Sequence, residues 1–158
     1  MGHDDAVGLE VQELERLYRA EGHRLWRALL AFSADREVAD DALAEAFAQA
    51  LSRGDELRDP RAWVWSVSFR LAAAELKSRS STSQIPDRGY VFPEPIPHVF
   101  AALTRLSPNQ RLAVVMHDYA DRPTDEIAEV LGSSRATVHV HLSKGRRRLR
   151  KLLEADDG

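Results

Sequence analysis

Residues 106–153, LSPNQRLAVVMHDYADRPTDEIAEVLGSSRATVHVHLSKGRRRLRKLL, decide the fold. Ser107-Pro108-Asn109-Gln110 is a capping box with proline at the first helical position, because the serine oxygen takes one free amide and the glutamine reaches back to another. The helix it opens runs through Leu112, Val115, Met116 and Tyr119 and stops near Asp121-Arg122-Pro123. Thr124 begins a short helix whose Ile127, Val130 and Leu131 form an apolar edge, and Gly132 ends it. Ser133-Ser134 supplies the next cap, and a last helix extends from Arg135 to about Glu154 with Val138, Leu142, Leu149 and Leu152 in one stripe. Short helix, glycine turn and longer helix make the helix-turn-helix pattern, which offers the start of its second helix to a DNA major groove.

That second helix is strongly basic. Lys144, Arg146, Arg147, Arg148, Arg150 and Lys151 place six cations in eight residues, with Arg135, Thr137, His139 and His141 nearer its start. Cations supply phosphate affinity by releasing counterions, whereas sequence choice needs groups that reach base edges. Arg135, His139 and His141 are therefore expected near bases, Thr137, Lys144 and Arg148 on the backbone, and Arg146 among the phosphate-binding cations. One or two cations would satisfy the dipole of a helix C-terminus; six exceed that need.

Upstream, residues 80–98 (SSTSQIPDRGYVFPEPIPH) hold four of the seven prolines and no periodicity. They read as a semi-extended linker that, at roughly 3 Å per residue, could hold two modules far apart. Before it, Leu17, Tyr18, Leu25, Leu29 and Phe32 and then Ala39, Leu43, Ala46, Phe47 and Ala50 follow helical spacing. The polar stretch 53–60 feeds a third helix over about 61–79. No strand alternation is convincing, so the expected fold class is all-α: a helical domain over 9–79, a linker over 80–97 and a helix-turn-helix domain over 98–154.

Two features of the first module stand out. Glu37, Asp41 and Glu45 repeat every four residues and repel one another by a few tenths of a kcal/mol per pair, which suggests either a solvated face or a basic partner. The third helix carries two apolar stripes, Trp63, Val67, Leu71 and Ala74 on one side and Trp65, Phe69, Ala72 and Leu76 on nearly the other. Burial of both is the plainer expectation. The sharper one leaves Trp65 and Phe69 partly exposed to stack on unpaired bases or receive an inhibitory helix, with Arg61, Arg70, Lys77 and Arg79 supplying positive charge.

The 158 residues carry a net charge of −3, unevenly spread. Residues 1–60 hold 7 basic against 14 acidic groups, and residues 135–158 hold 7 against 3. An acidic, partner-facing front and a cationic end follow. Absence of cysteine excludes disulfides and thiolate chemistry, and no apolar run reaches membrane-span length. With no signal-peptide pattern, a cytoplasmic protein without membrane insertion is expected. The six histidines show no metal-ligand spacing, and no nucleophile elbow or phosphate-binding glycine loop accompanies Ser, His and Asp, so no metal, cofactor or enzymatic activity is expected.

Residues 106–153 resemble region 4 of bacterial sigma factors of the extracytoplasmic-function (ECF) group in the sigma-70 family, with its L-P-x-x-Q-R, E-I-A-x-x-L-G and T-V-x-x-x-L pieces followed by arginines. VADDALAEAFAQAL (38–51) and DPRAWVWSVSFRLAAAELKSR (59–79) resemble region 2 of the same family. The resemblance implies a transcription initiation factor that binds core RNA polymerase and promoter DNA and takes an anti-sigma partner. On it, Glu37, Asp41, Glu45 and Phe47 would face the polymerase clamp, Arg61, Trp65, Phe69, Arg70 and Lys77 the minus-ten element, and the last helix the minus-thirty-five element. The family's usual glutamine reads Ala44, its arginine-asparagine pair Phe69-Arg70, and its recognition-helix lysine and arginine His139 and His141. A stand-alone helix-turn-helix regulator with a dimerisation or sensing bundle, or a polymerase-binding decoy, remains the alternative.

Overall fold

The computed structural model describes residues 3–81 and 97–157, and among them every regular element is helical. Three helices form the first module: α1 (His3–Ser33), α2 (Arg36–Arg53) and α3 (Pro60–Ser81). Asp35 caps α2 by accepting from Val38 N at 3.1 Å, and Arg79 Nη1 at the far end of α3 holds the same carboxylate at 2.7 Å. Asp59 caps α3 in the same way, accepting from Ala62 N at 3.1 Å, with Pro60 at the first helical position. Alanines at 39, 42, 46 and 50 form the inner face of α2 and let α1 and α3 approach closely. Leu25, Leu29 and Phe32 of α1 meet Val64, Trp65 and Phe69 of α3 in the core.

The second module contains α4 (Pro97–Leu103), α5 (Pro108–Val114), α6 (Thr124–Leu131) and α7 (Arg135–Asp157). Both halves of the Ser107–Gln110 capping box form, at 3.2 and 3.3 Å. The helix after it reaches Tyr119 as expected, but its last five residues, Val115–Tyr119, are wound as a π turn closed by Ala120 N donating to Val115 O at 2.9 Å. The short α4 was not anticipated from sequence. It buries Phe100, Ala102 and Leu103 and packs against α7. Ser80 and Ser81 still belong to α3 and Pro97 opens α4, while the rest of the expected linker lies outside the described residues.

Linker composition suggested that the modules could sit apart; in the structure they share one core. α3 packs on α6, and α1 on the π turn and α4. Arg24 donates to Asp121 Oδ2 at 2.8 Å and to Tyr119 O at 3.3 Å, and Arg70 Nη2 reaches Glu129 Oε1 at 3.1 Å. The Arg111 guanidinium lies over the Phe32 ring at 5.5 Å, and Arg122 over Trp65 at 5.8 Å. The apolar edge of α6 and the loop before it complete a surface that α1 and α3 leave open, which composition alone does not reveal.

Inside the second module, α5 and α7 meet at Gly145. A Cβ there would come 2.9 Å from Val114 Cγ2 and 3.3 Å from Gln110 Cβ. Mid-helix Gly→Ala ordinarily gains about 1 kcal/mol of helix propensity, but here the new methyl meets a buried, β-branched neighbour. Gly145→Ala is therefore expected to lower stability by about 1–3 kcal/mol in urea denaturation followed by circular dichroism; a gain would mean that α5 moves aside freely.

Candidate nucleic-acid interface

Gly132 sets the angle between α6 and α7. It takes φ 65°, ψ 38°, donates to Glu129 O at 3.2 Å, and Ser133 N donates to Ala128 O at 2.9 Å, which is the paired closure of a left-handed C-cap. Ser134 then caps α7, accepting from Thr137 N at 3.2 Å while its hydroxyl meets Thr137 Oγ1 at 3.0 Å. Three residues thus turn the chain from one helix into the next.

α7 divides by face. Val138, Leu142 and Gly145 are buried, and Leu149 and Leu152 are half-buried along the same stripe. At about 100° per residue the opposite side carries Ala136, Val140, Ser143, Lys144, Arg147 and Lys151, all exposed. Among the described residues, Lys144, Arg147, Arg150 and Lys151 have no carboxylate partner. A cleft of ≈390 Å³ opens beside them, lined by His139, Leu142, Ser143, Arg146, Arg147 and Arg150.

The structure separates the DNA-binding residues expected from sequence. Lys144 and His139 are exposed on or next to the outer face. Arg135, also exposed, forms an ion pair with Asp125 of α6. Thr137 is occupied by the cap, and His141 is half-buried on the flank it shares with Thr137 and Arg148. Arg148 Nε donates to Arg105 O at 3.2 Å, tying α7 to the end of α4. His139 and His141 diverge by about 200° around the helix, so they do not act together. Val140 and Ser143 share this exposed face with Arg147, one of the six cations, and the phase of a helix anchored on the apolar Val138 and Leu142 is the signal that places all three there.

Arg146 is exposed but tied to the π turn. Its Nε and Nη2 donate to Asp118 at 2.8 and 2.6 Å, and Asp118 Oδ1 lies 2.9 Å from His117 Nδ1. The π turn carries both His117 and Asp118, so an altered helical pitch brings them to α7. The Arg146 hydrogen bond, aided by His117, holds the Asp118 carboxyl below the usual carboxylate range against the opposing effect of burial.

On the first module, Glu37, Asp41 and Glu45 are exposed along α2, as the four-residue repeat requires. Glu45 accepts from Gln49 at 2.9 Å, and Glu37 lies 3.9 Å from Arg79 Nη2. Phe47 is half-buried with its ring edge-on to Tyr18 at 5.2 Å. Tyr18 (53%) and Leu51 (52%) are exposed beside this stripe and were not singled out from sequence. Their one-turn spacing from Leu14 and Phe47 marks a helix face but reads as core, so it gives no sign of their exposure.

On α3 the Trp65, Phe69 and Ala72 stripe is buried, as the plainer expectation has it, while on the other stripe Trp63, Val67 and Leu71 are only half-buried and Ala74 is exposed. Trp65 is 1% and Phe69 0% exposed, stacked at 6.5 Å, so neither is an open platform for bases or an inhibitor. Trp65 and Phe69 are closed over because α3 packs against α1 and α2 on one side and against α6 on the other, with the Arg24 and Arg122 guanidiniums over the Trp65 ring at 6.0 and 5.8 Å. Arg61 donates to Glu21 at 2.6 Å and Arg70 pairs with Glu129, while Lys77 is exposed. Beneath, Arg122 and Glu126 form a buried pair at 2.6 Å. Burial raises the Glu126 carboxyl despite Arg122.

Because the folded Asp118 carboxyl titrates below its unfolded value, the stability it lends is complete above about pH 4 and is lost as pH falls through the depressed folded value. Asp118→Asn should cost stability at pH 7, and thermal melts of the two proteins should converge on acidification below about pH 4. A gap independent of pH would show that the pair contributes nothing through its charge.

The family model for sigma-70 region 4 matches residues 99–149. The chain is 30% identical over 160 residues to an RNA polymerase sigma-E factor of Streptomyces avermitilis, covering 94% of this chain and 89% of that one. It is 33% identical over 128 residues to the ECF RNA polymerase sigma factor SigJ of Mycobacterium tuberculosis, covering 69% of this chain and 41% of SigJ. With 51% of the probable SigI of that organism also covered, the chain spans about half the length of these two relatives or less. Among solved structures, the sigma factor RpoE of Bartonella quintana, crystallised with the anti-sigma factor NepR, superposes with a TM-score of 0.74 at 20% identity, over 92% of this chain and 96% of that one. The crystal structure of SigJ superposes with a TM-score of 0.64 at 29% identity, over 89% and 54%. The chain belongs to the sigma-70 family of RNA polymerase sigma factors, in its extracytoplasmic-function group.

Proposed function

We propose that this chain is a transcription initiation factor that binds core RNA polymerase and directs it to particular promoters, without enzymatic activity of its own. The observation that carries the reading is the pairing, in one chain, of an exposed cationic face on the second helix of a helix-turn-helix with an exposed acidic stripe on α2. Each suits a different partner. The α7 face fits the phosphates and base edges of the minus-thirty-five duplex, and Glu37, Asp41 and Glu45, with Phe47, Tyr18 and Leu51 as an apolar margin, fit a basic, partly apolar polymerase clamp.

Roles divide by what each residue is free to do. Lys144, Arg147 and Arg150 bind the backbone, Arg148 joins them with the guanidinium nitrogens it does not donate to Arg105 O, and Arg146 steadies α7 against the π turn beside them. Arg135 and His139 stand where the start of a recognition helix reaches bases, with Thr137 and His141 on its flank. On α3, Arg61, Arg70 and Lys77 supply the charge for the minus-ten element, and Trp65 and Phe69 act as the core that holds that helix rigid. Engaging both promoter elements at once multiplies two weak affinities through the effective concentration of one chain.

An anti-sigma partner belongs to the same proposal. RpoE of Bartonella quintana was crystallised with the anti-sigma factor NepR, CnrH has been solved in complex with the cytosolic domain of CnrY, and this chain shares their fold. Action in the cytoplasm is part of the same proposal; no described helix is long and apolar enough to cross a membrane.

Run-off transcription with purified core polymerase on genomic promoter fragments tests the proposal: specific transcripts are expected, and dimeric binding to palindromic DNA without polymerase would favour a stand-alone regulator instead. Asp41→Lys and Glu45→Lys should weaken assembly with core polymerase while changing thermal stability by no more than about 0.5 kcal/mol. Lys144→Ala should weaken DNA binding evenly across sequences and reduce the log–log salt slope of holoenzyme binding by about one.

A further inference from the structure

Val140 is the one large apolar side chain on the outer face of α7, and 49% of it is exposed. Around it stand Ala136 one turn before, and Ser143, Lys144 and Arg147 one and two turns after, all exposed. It lies nearly opposite the buried Val138, Leu142 and Gly145, so it projects away from the module's own core. An isolated exposed valine is ordinary on a protein surface. Here, however, a β-branched residue of modest helix propensity sits at the centre of a cationic face, in the half of the helix that enters a major groove most deeply.

The floor of that groove offers a single kind of apolar group, the C5-methyl of thymine. We infer that Val140 reads a thymine in the promoter duplex by packing against its methyl group, and so is a specificity-determining residue set between the phosphate-binding cations. The inference rests on the promoter-reading role proposed above and adds to it a base identity and the residue that selects it. Lys144 and Arg147, which flank the valine, would bind the phosphates that fix its depth, and Ala136, lacking a long side chain, leaves room for the base edge. Charge complementarity favours DNA over a protein partner at this spot: an apolar protein surface docking on Val140 would have to neutralise Lys144, Arg147 and Lys151 as well.

The test uses holoenzyme reconstituted from the full chain and core polymerase, and a duplex enriched by it from a random-sequence library. Each thymine of the enriched site is replaced in turn by deoxyuridine, which removes only the methyl group. At one position the wild-type holoenzyme should lose affinity about four-fold, the worth of one buried methyl group, and the Val140→Ala holoenzyme should be indifferent to the same replacement. Thermal melts should show Val140→Ala folded as well as the wild type, because the side chain is half in solvent. Tolerance of deoxyuridine at every position, or a loss that persists unchanged in Val140→Ala, overturns the assignment while leaving promoter recognition intact. Weaker assembly of Val140→Ala with core polymerase, with an unaltered deoxyuridine series, also overturns it and places the valine against the enzyme. A library that yields no enriched duplex removes the promoter-reading role and the inference with it.

Discussion

α7 has to bury one stripe and display the opposite one, and the rest of the second module is arranged around that requirement. Val138, Leu142 and Gly145 fix which side faces the core, and the 3.6-residue period then sends Val140, Lys144 and Arg147 outward without further instruction. Gly145 matters most among them, because its missing Cβ lets α5 approach and so locks the rotation of α7 about its axis. The angle at which the helix is presented comes from the left-handed Gly132 cap, and its distance from the π turn from the Asp118–Arg146 hydrogen bonds. A small set of backbone and packing constraints thus orients a face whose own residues make few contacts.

Contact between the modules is of a different character. Its apolar part is continuous with both cores, yet its polar part is imperfectly satisfied: Trp65 Nε1 and Glu126 Oε1 are buried without a hydrogen-bond partner. Buried polar atoms left unpaired cost about 1–3 kcal/mol each, and the Arg24–Asp121 and Arg70–Glu129 pairs are exposed enough for salt to screen them. The apolar contact, rather than these ion pairs, therefore supplies most of what joins the modules. On the function proposed above, in which one chain engages a large enzyme and two separated DNA elements, a salt-sensitive contact between the modules would be an advantage.

The acidic stripe on α2 shows how a local pattern and a tertiary setting combine. Glu37, Asp41 and Glu45 were legible as one face from their spacing alone, and α2 buries only its alanine-lined side, so the face is exposed. Tyr18 and Leu51 beside it were not legible, since an apolar residue at helical spacing reads as core until its neighbours are known. Trp65 and Phe69 illustrate the reverse error: two apolar stripes on one helix left open an exposed platform, and the partner that closes over them lies more than fifty residues further along the chain, in α6 and the loop before it.

Sequence by itself determined the helices, their caps and the basic character of α7, because capping boxes, Gly132 and the apolar period act over a few residues and leave local marks. The short α4, the π winding of Val115–Tyr119 and the joining of the modules were decided only in the tertiary structure, since each depends on surfaces contributed from elsewhere in the chain. The site divides the same way. Which residues of α7 are cationic is written locally, whereas which of them face outward and which are held by Asp118, Asp125 or the end of α4 follows from how that helix is seated, a matter of long-range packing that no short-range rule encodes.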